Sequence, residues 1–144
     1  MKSVDFMIGD LVTAVYEVEE NGEYKNKSVP ARITGIDENC TLVGGNCEVS
    51  FAPLKKHDFG EYCEDIEPVK LTKKILGKND WISPDGNLYS LGVKELWTFF
   101  EYAFEAEMLL INDGRIPTPI RYVHELQHAL RLCGLNDLAD NFKI

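Results

Sequence analysis

Turn-forming residues interrupt this 144-residue chain so often that its first half reads as a series of short strands. In the first half, Asn21-Gly22, Asp37-Glu38-Asn39 and Gly44-Gly45-Asn46 each combine residues that reverse the backbone cheaply. The runs between them are short and rich in β-formers. Asp10–Tyr16, Val29–Ile36, Cys40–Val43, Cys47–Phe51 and Ile66–Val69 read as strands, with Ile8-Gly9-Asp10 leading into the first. Pro30 falls near the start of the second, where a missing N–H does least harm. The polar stretch Glu19–Lys27 reads as a loop, and residues 53–64 as irregular chain. So many short strands in about 70 residues predict a small SH3-like β-barrel.

The second half reads differently. Thr72 is placed to cap a short helix, Lys73–Lys78, that ends at Asn79. Ser83-Pro84-Asp85-Gly86 has turn composition, and Asn87–Leu91 follows as a strand. Residues 93–111 fit a helix almost as well as two strands. The aromatics of 97–104 and the turn Asn112-Asp113-Gly114 favour strands. Pro117 and Pro119 before it and Gly134 after it punctuate a last helix, Ile120–Cys133. Its apolar face carries Tyr122, Val123, Leu126, Ala129, Leu130 and Cys133. Its polar face is expected to carry Arg121, His124, Glu125, Gln127, His128 and Arg131. Leu135–Ile144 is left to form one more turn or to lie on the core. The expected architecture is therefore α+β: an N-terminal barrel over residues 1–70, then a short helix, antiparallel strands and a C-terminal amphipathic helix over residues 71–144. The two modules are expected to form one compact unit.

Composition narrows the function classes. The net charge is −9, with 14 acidic against 7 basic side chains in residues 1–70. Such a field repels phosphate backbones, so nucleic acid is disfavoured as a partner. No run of about 18 apolar residues exists, so no membrane-spanning helix is expected. The first ten residues lack the apolar core of a signal peptide, which predicts a cytoplasmic location. There Cys40, Cys47, Cys63 and Cys133 are expected as thiols, and no C-x-x-C pair marks a metal knuckle.

One string has a defined chemical meaning. His124-Glu125-Leu126-Gln127-His128 matches the pattern that places two imidazoles one helical turn apart with a carboxylate between them. In a zinc hydrolase His124 and His128 would bind the metal, Asp137 is the available third ligand, and Glu125 would take a proton from the metal-bound water. Against that reading, no His or Glu follows His128, and Gly134 comes six residues after it rather than three. Arg121 and Arg131 project from the same face, where they would oppose a dication. An amphipathic helix with a polar outer face is the preferred reading, Glu125 pairing with Arg121. Gly44-Gly45 is read as a turn rather than a phosphate cradle, and His57, Asp58 and Cys63 as ordinary loop residues. The aromatics Trp97, Phe99, Phe100, Tyr102 and Phe104 lie among Glu95, Glu101, Glu105 and Glu107, which disfavours base stacking. They are expected to pack one face of a sheet into the core, any exposed remnant serving a protein partner.

The block Tyr122–Gly134, with Ile8-Gly9-Asp10-Leu11-Val12 and Ile66–Leu76, resembles a group of small uncharacterised proteins from Bacteroides-type gut bacteria, often linked to phage or mobile elements. The resemblance covers most of the chain. In that group glutamine often stands at the position of Glu125, and asparagine sometimes at that of His128. The resemblance therefore implies no catalytic role for either residue. These readings converge on a non-enzymatic cytoplasmic binding or adaptor protein whose partner is a protein, with a phage or mobile element as the setting the resemblance implies. The zinc-dependent hydrolase is the alternative.

Overall fold

A computed structural model describes residues 6–36, 49–53, 62–93 and 97–144. The chain folds as two compact units, Met1–Val69 and Lys70–Ile144.

In the first unit β1 (Leu11–Glu20) and β2 (Glu23–Ile36) form a long antiparallel hairpin. Its two-residue turn is Asn21-Gly22, with φ of 55° and 78°. Both values are positive, as the tight turns that match the right-handed twist of paired strands require, and a glycine meets the second without strain. The stretch expected as a loop at Glu19–Lys27 is thus paired strand. It is polar because this end of the hairpin is exposed, and Lys27 there donates to the Glu20 carboxylate. β3 (Val49–Pro53) adds to β2 and β4 (Tyr62–Pro68) to β1, giving the order β3-β2-β1-β4, all antiparallel. The sheet stays open, and the expected SH3-like barrel does not form among the described residues. Pro30 lies one residue before the point where β3 begins to pair, and among the described residues no strand pairs it on that side, a position that tolerates proline. The expected strand Cys40–Val43, the turns at 37–39 and 44–46 and most of the irregular stretch 53–64 lie outside the described residues.

Alternation fixes which face of this sheet is buried. Val12 and Ala14 of β1 stand opposite Ala31 and Val29 of β2, and Ile66 of β4 pairs with Ala14. With Phe6 and Ile33 they form one core cluster. A one-residue slip would turn the whole set to solvent. The lead-in is a tight turn in which Asp10 is fully buried and its carboxylate accepts the Met7 N–H at 2.7 Å.

The second unit begins with α1 (Lys73–Lys78), where the sequence placed it, and the Thr72 hydroxyl accepts the Ile75 N–H at 3.2 Å. The Ser83–Gly86 turn is held by the Asp85 carboxylate, which accepts the N–H groups of Asn87 and Leu88. Next comes an antiparallel meander: β5 (Leu88–Val93), β6 (Thr98–Ala103), β7 (Met108–Ile111) and the short β8 (Gly114–Arg115). Strands are therefore correct for the ambiguous run 93–111 in its described residues. Asn112-Asp113 closes the last hairpin with φ of 48° and 67°. Phe100 and Tyr102 point inward, as expected of the aromatic face, whereas Phe99 lies on the opposite side.

The C-terminal segment folds into α2 (Val123–Leu132) and α3 (Asn136–Asp140). Gly134, at φ 77°, ends α2 with a paired reversal: its N–H donates to Arg131 and that of Leu135 to Leu130. The tail does both things foreseen for it, since it adds a helix and buries Ala139 and Phe142. Asn79 holds its far end. The side-chain amide donates to the carbonyls of Ile75 and Lys143, at 2.8 and 2.7 Å, and its oxygen accepts the Lys143 N–H at 2.8 Å. This is the two-bond pattern of a strand partner, supplied by a side chain. Asn79→Ala should therefore lower stability by about 1–2 kcal/mol. Urea unfolding with hydrogen exchange at residues 141–144 checks it, and faster exchange confined to that tail is the expected companion.

Candidate functional site

α2 starts three residues later than punctuation alone suggests, because residues 120–122 are tied into extended chain. The Ile120 carbonyl accepts the Tyr102 hydroxyl at 2.5 Å, and the Ile120 N–H donates to the Glu107 carbonyl. Leu71 donates to the Arg121 carbonyl at 2.9 Å, and Tyr122 bridges to Lys70. Each of these bonds would be lost if the helix ran back to Ile120.

This anchoring decides what Glu125 does. Its carboxylate reaches back over the helix start and accepts the N–H of Arg121 at 2.6 Å and of Tyr122 at 3.0 Å. An anion at the third helical position answers both the orphan donors and the positive end of the helix dipole. The ion pair expected between Glu125 and Arg121 is replaced: the Arg121 guanidinium pairs with Glu107 at 2.5 Å, which raises its pKa.

The two imidazoles are one turn apart, as expected, with ring centroids 5.6 Å apart in an edge-to-face arrangement. His124 also stacks on the Tyr122 ring at 5.9 Å. Its place on a polar outer face is corrected, since it is 4% exposed. Gln127, also assigned there, is fully buried and donates to the Ala139 carbonyl at 2.9 Å. At ~100° per residue Gln127 stands only about 40° from Val123, inside the buried arc. A neighbouring carbonyl on α3 lets a polar side chain sit there without an unmet hydrogen bond.

Asp137 is exposed on α3. Among the described residues, no three His, Cys, Asp or Glu side chains gather closely enough to hold a metal ion. The Arg131 guanidinium faces Asp140 at 3.7 Å, so both arginines flanking the histidines have carboxylate neighbours. The electrostatic objection to a dication is therefore weaker than the sequence suggested. The geometric one is stronger, because Glu125 is committed to the backbone and His124 is packed between rings. Cys133 is half-buried, and burial pushes its thiol up, away from the reactive thiolate. His57 and Asp58 lie outside the described residues, and Cys63 falls on β4.

A second candidate surface lies on the meander, and the sequence reading half missed it. Trp97 is 91% exposed and Phe99 45% exposed. The run Thr98-Phe99-Phe100-Glu101-Tyr102 carried the signal, since a period of two puts Phe99 opposite Phe100 and Tyr102. Comparison with protein-family profiles, curated proteins and solved structures finds no match to this chain.

Two outcomes follow for the helix start. Glu125→Ala should cost about 1 kcal/mol in urea unfolding. Glu125→Gln, which keeps an acceptor oxygen, should cost less than half as much. Tyr102 is the reporter under this segment. Burial, then the carboxylates of Glu107 and Glu125, push its phenol up to about 12. An unfolded tyrosine titrates near ~10, so the stabilisation is complete below that pH and is lost as pH rises from there through the folded value. Alkaline melts should show Tyr102→Phe less stable at neutral pH but losing less stability over that range.

Proposed function

We propose that the chain is a non-enzymatic binding protein whose partner is another protein, acting through the exposed aromatics of the second unit. The observation that carries this reading is Trp97, almost wholly in solvent beside the start of β6. Tryptophan is among the residues most enriched where protein interfaces concentrate their energy. Phe99 on β6 stands close by in sequence and is itself 45% exposed. Further support comes from the His124–His128 segment, whose Glu125 serves its own helix rather than a water molecule. The setting we propose is the cytoplasm, in a phage or mobile-element context, as the resemblance of the Tyr122–Gly134 block implies.

The zinc hydrolase is the competing reading, on the one observation that favours it: two imidazoles on adjacent turns of one helix. Tagged protein, used to capture partners from its native host, separates the two. A partner retained by the wild-type chain and lost on Trp97→Ala with Phe99→Ser, at unchanged melting temperature, is the expected result. An identical capture profile for the double variant would remove the aromatic surface from the account.

A further inference from the structure

We infer that the exposed face of α1 docks an acidic segment of the partner protein; this rests on the protein-binding reading above and adds a surface that does not include Trp97. A reversal of charge marks the segment. In a chain carrying −9, residues 70–78 hold Lys70, Lys73, Lys74 and Lys78 and no acidic side chain. All four lysines are exposed. At ~100° per residue, Lys73, Gly77, Lys74 and Lys78 span an arc of about 140° on α1. Ile75 and Leu76 are its buried side.

Three features of this face cost the isolated protein stability. Lys73 and Lys74 occupy the first turn, where the helix dipole disfavours cations, and no acidic residue offsets them there. Gly77 is exposed within the helix, without a left-handed φ, and a Cβ added to it would meet nothing within 4 Å. An alanine would serve the helix better at that position. The lysines themselves form no ion pair among the described residues. Lys73 lies over the Phe104 ring, 5.4 Å from its centroid, and Lys78 donates to the Ile144 carbonyl, so both contacts leave a full charge in place. Glu67 and Asp80, the acidic residues that border the run, pair with none of the four. An acidic segment answers all three features. Its carboxylates neutralise the lysines, and its backbone comes closest where Gly77 presents no side chain.

Reach separates a short acidic segment from other anions. The lysines act over a screening length of ~8 Å at physiological salt, which a few residues of extended chain can span. A nucleic acid or an anionic membrane would run past α1 onto a chain of net −9, which repels it. A second copy is also disfavoured. It brings the same −9, and at its acidic β1–β2 hairpin end Glu20 is already paired with Lys25 and Lys27.

The test uses the full chain and a fluorescent, end-blocked nonapeptide of alternating glutamate and leucine, beside a twin with lysine for glutamate and a single-stranded DNA of similar charge. At low salt the acidic peptide should raise anisotropy at micromolar to millimolar protein, and the other two probes should not. Salt at ~0.5 M should abolish the signal. Lys74→Glu suits the helix start and stands four residues before Lys78, so it should melt no lower than the wild type. It should nonetheless bind the acidic peptide about tenfold more weakly. Gly77→Ala should melt higher and also bind more weakly. A fold effect alone would move melting and binding the same way, and these variants separate them. No binding of the acidic peptide, tighter binding of the DNA, unchanged affinity in either variant, or self-association in place of binding would each overturn the inference. A natural partner captured equally well by Lys74→Glu would overturn it too while leaving the protein-binding reading intact.

Discussion

The Glu125 carboxylate marks the start of α2. It closes the first turn of α2 on the N–H groups of Arg121 and Tyr122, and so fixes where extended chain ends and helix begins. The same junction receives the Tyr102 hydroxyl, the Leu71 N–H and the Lys70 bridge. A carboxylate near a helix start is worth little alone. Here it coincides with bonds from two other segments, so the meander and the lead-in to α1 meet the start of α2 at residues 120–122.

That placement also changes the meaning of the His-Glu-Leu-Gln-His string. His124, Glu125 and Gln127 each have a structural use that neighbouring chain explains. His124 fills the space between Tyr122 and His128, and Gln127 satisfies a carbonyl of α3. In a zinc site the same pattern needs a free carboxylate, two rings aimed at one point and a third ligand. The helix periodicity delivers only the spacing.

Local chemistry was legible in the sequence, and long-range pairing was not. α1 could be placed from Thr72 and Asn79 alone because a cap and a stop are local events. The strands within 93–111 were legible from the aromatic run and the turn at Asn112-Asp113. Asn21-Gly22 also carried its signal, two residues flanked by strand formers, but the charged residues around it disguised paired strands as a loop. The start of α2 was misplaced because Pro117 and Pro119 open an extended segment whose partners, Tyr102 and Leu71, are distant in sequence. Burial of His124 depended likewise on the neighbouring Tyr122 ring, whereas Gln127 lies inside the arc that helix periodicity buries and was misassigned for its polarity alone.

The central claim is that residues 124–128 build a helix rather than a metal centre. A ligand that binds only the folded state must raise its melting temperature. Thermal melts of the untagged chain in excess zinc and in chelator test the claim most directly. The account predicts coincident curves, and a midpoint that rises with zinc and saturates at one equivalent would contradict it.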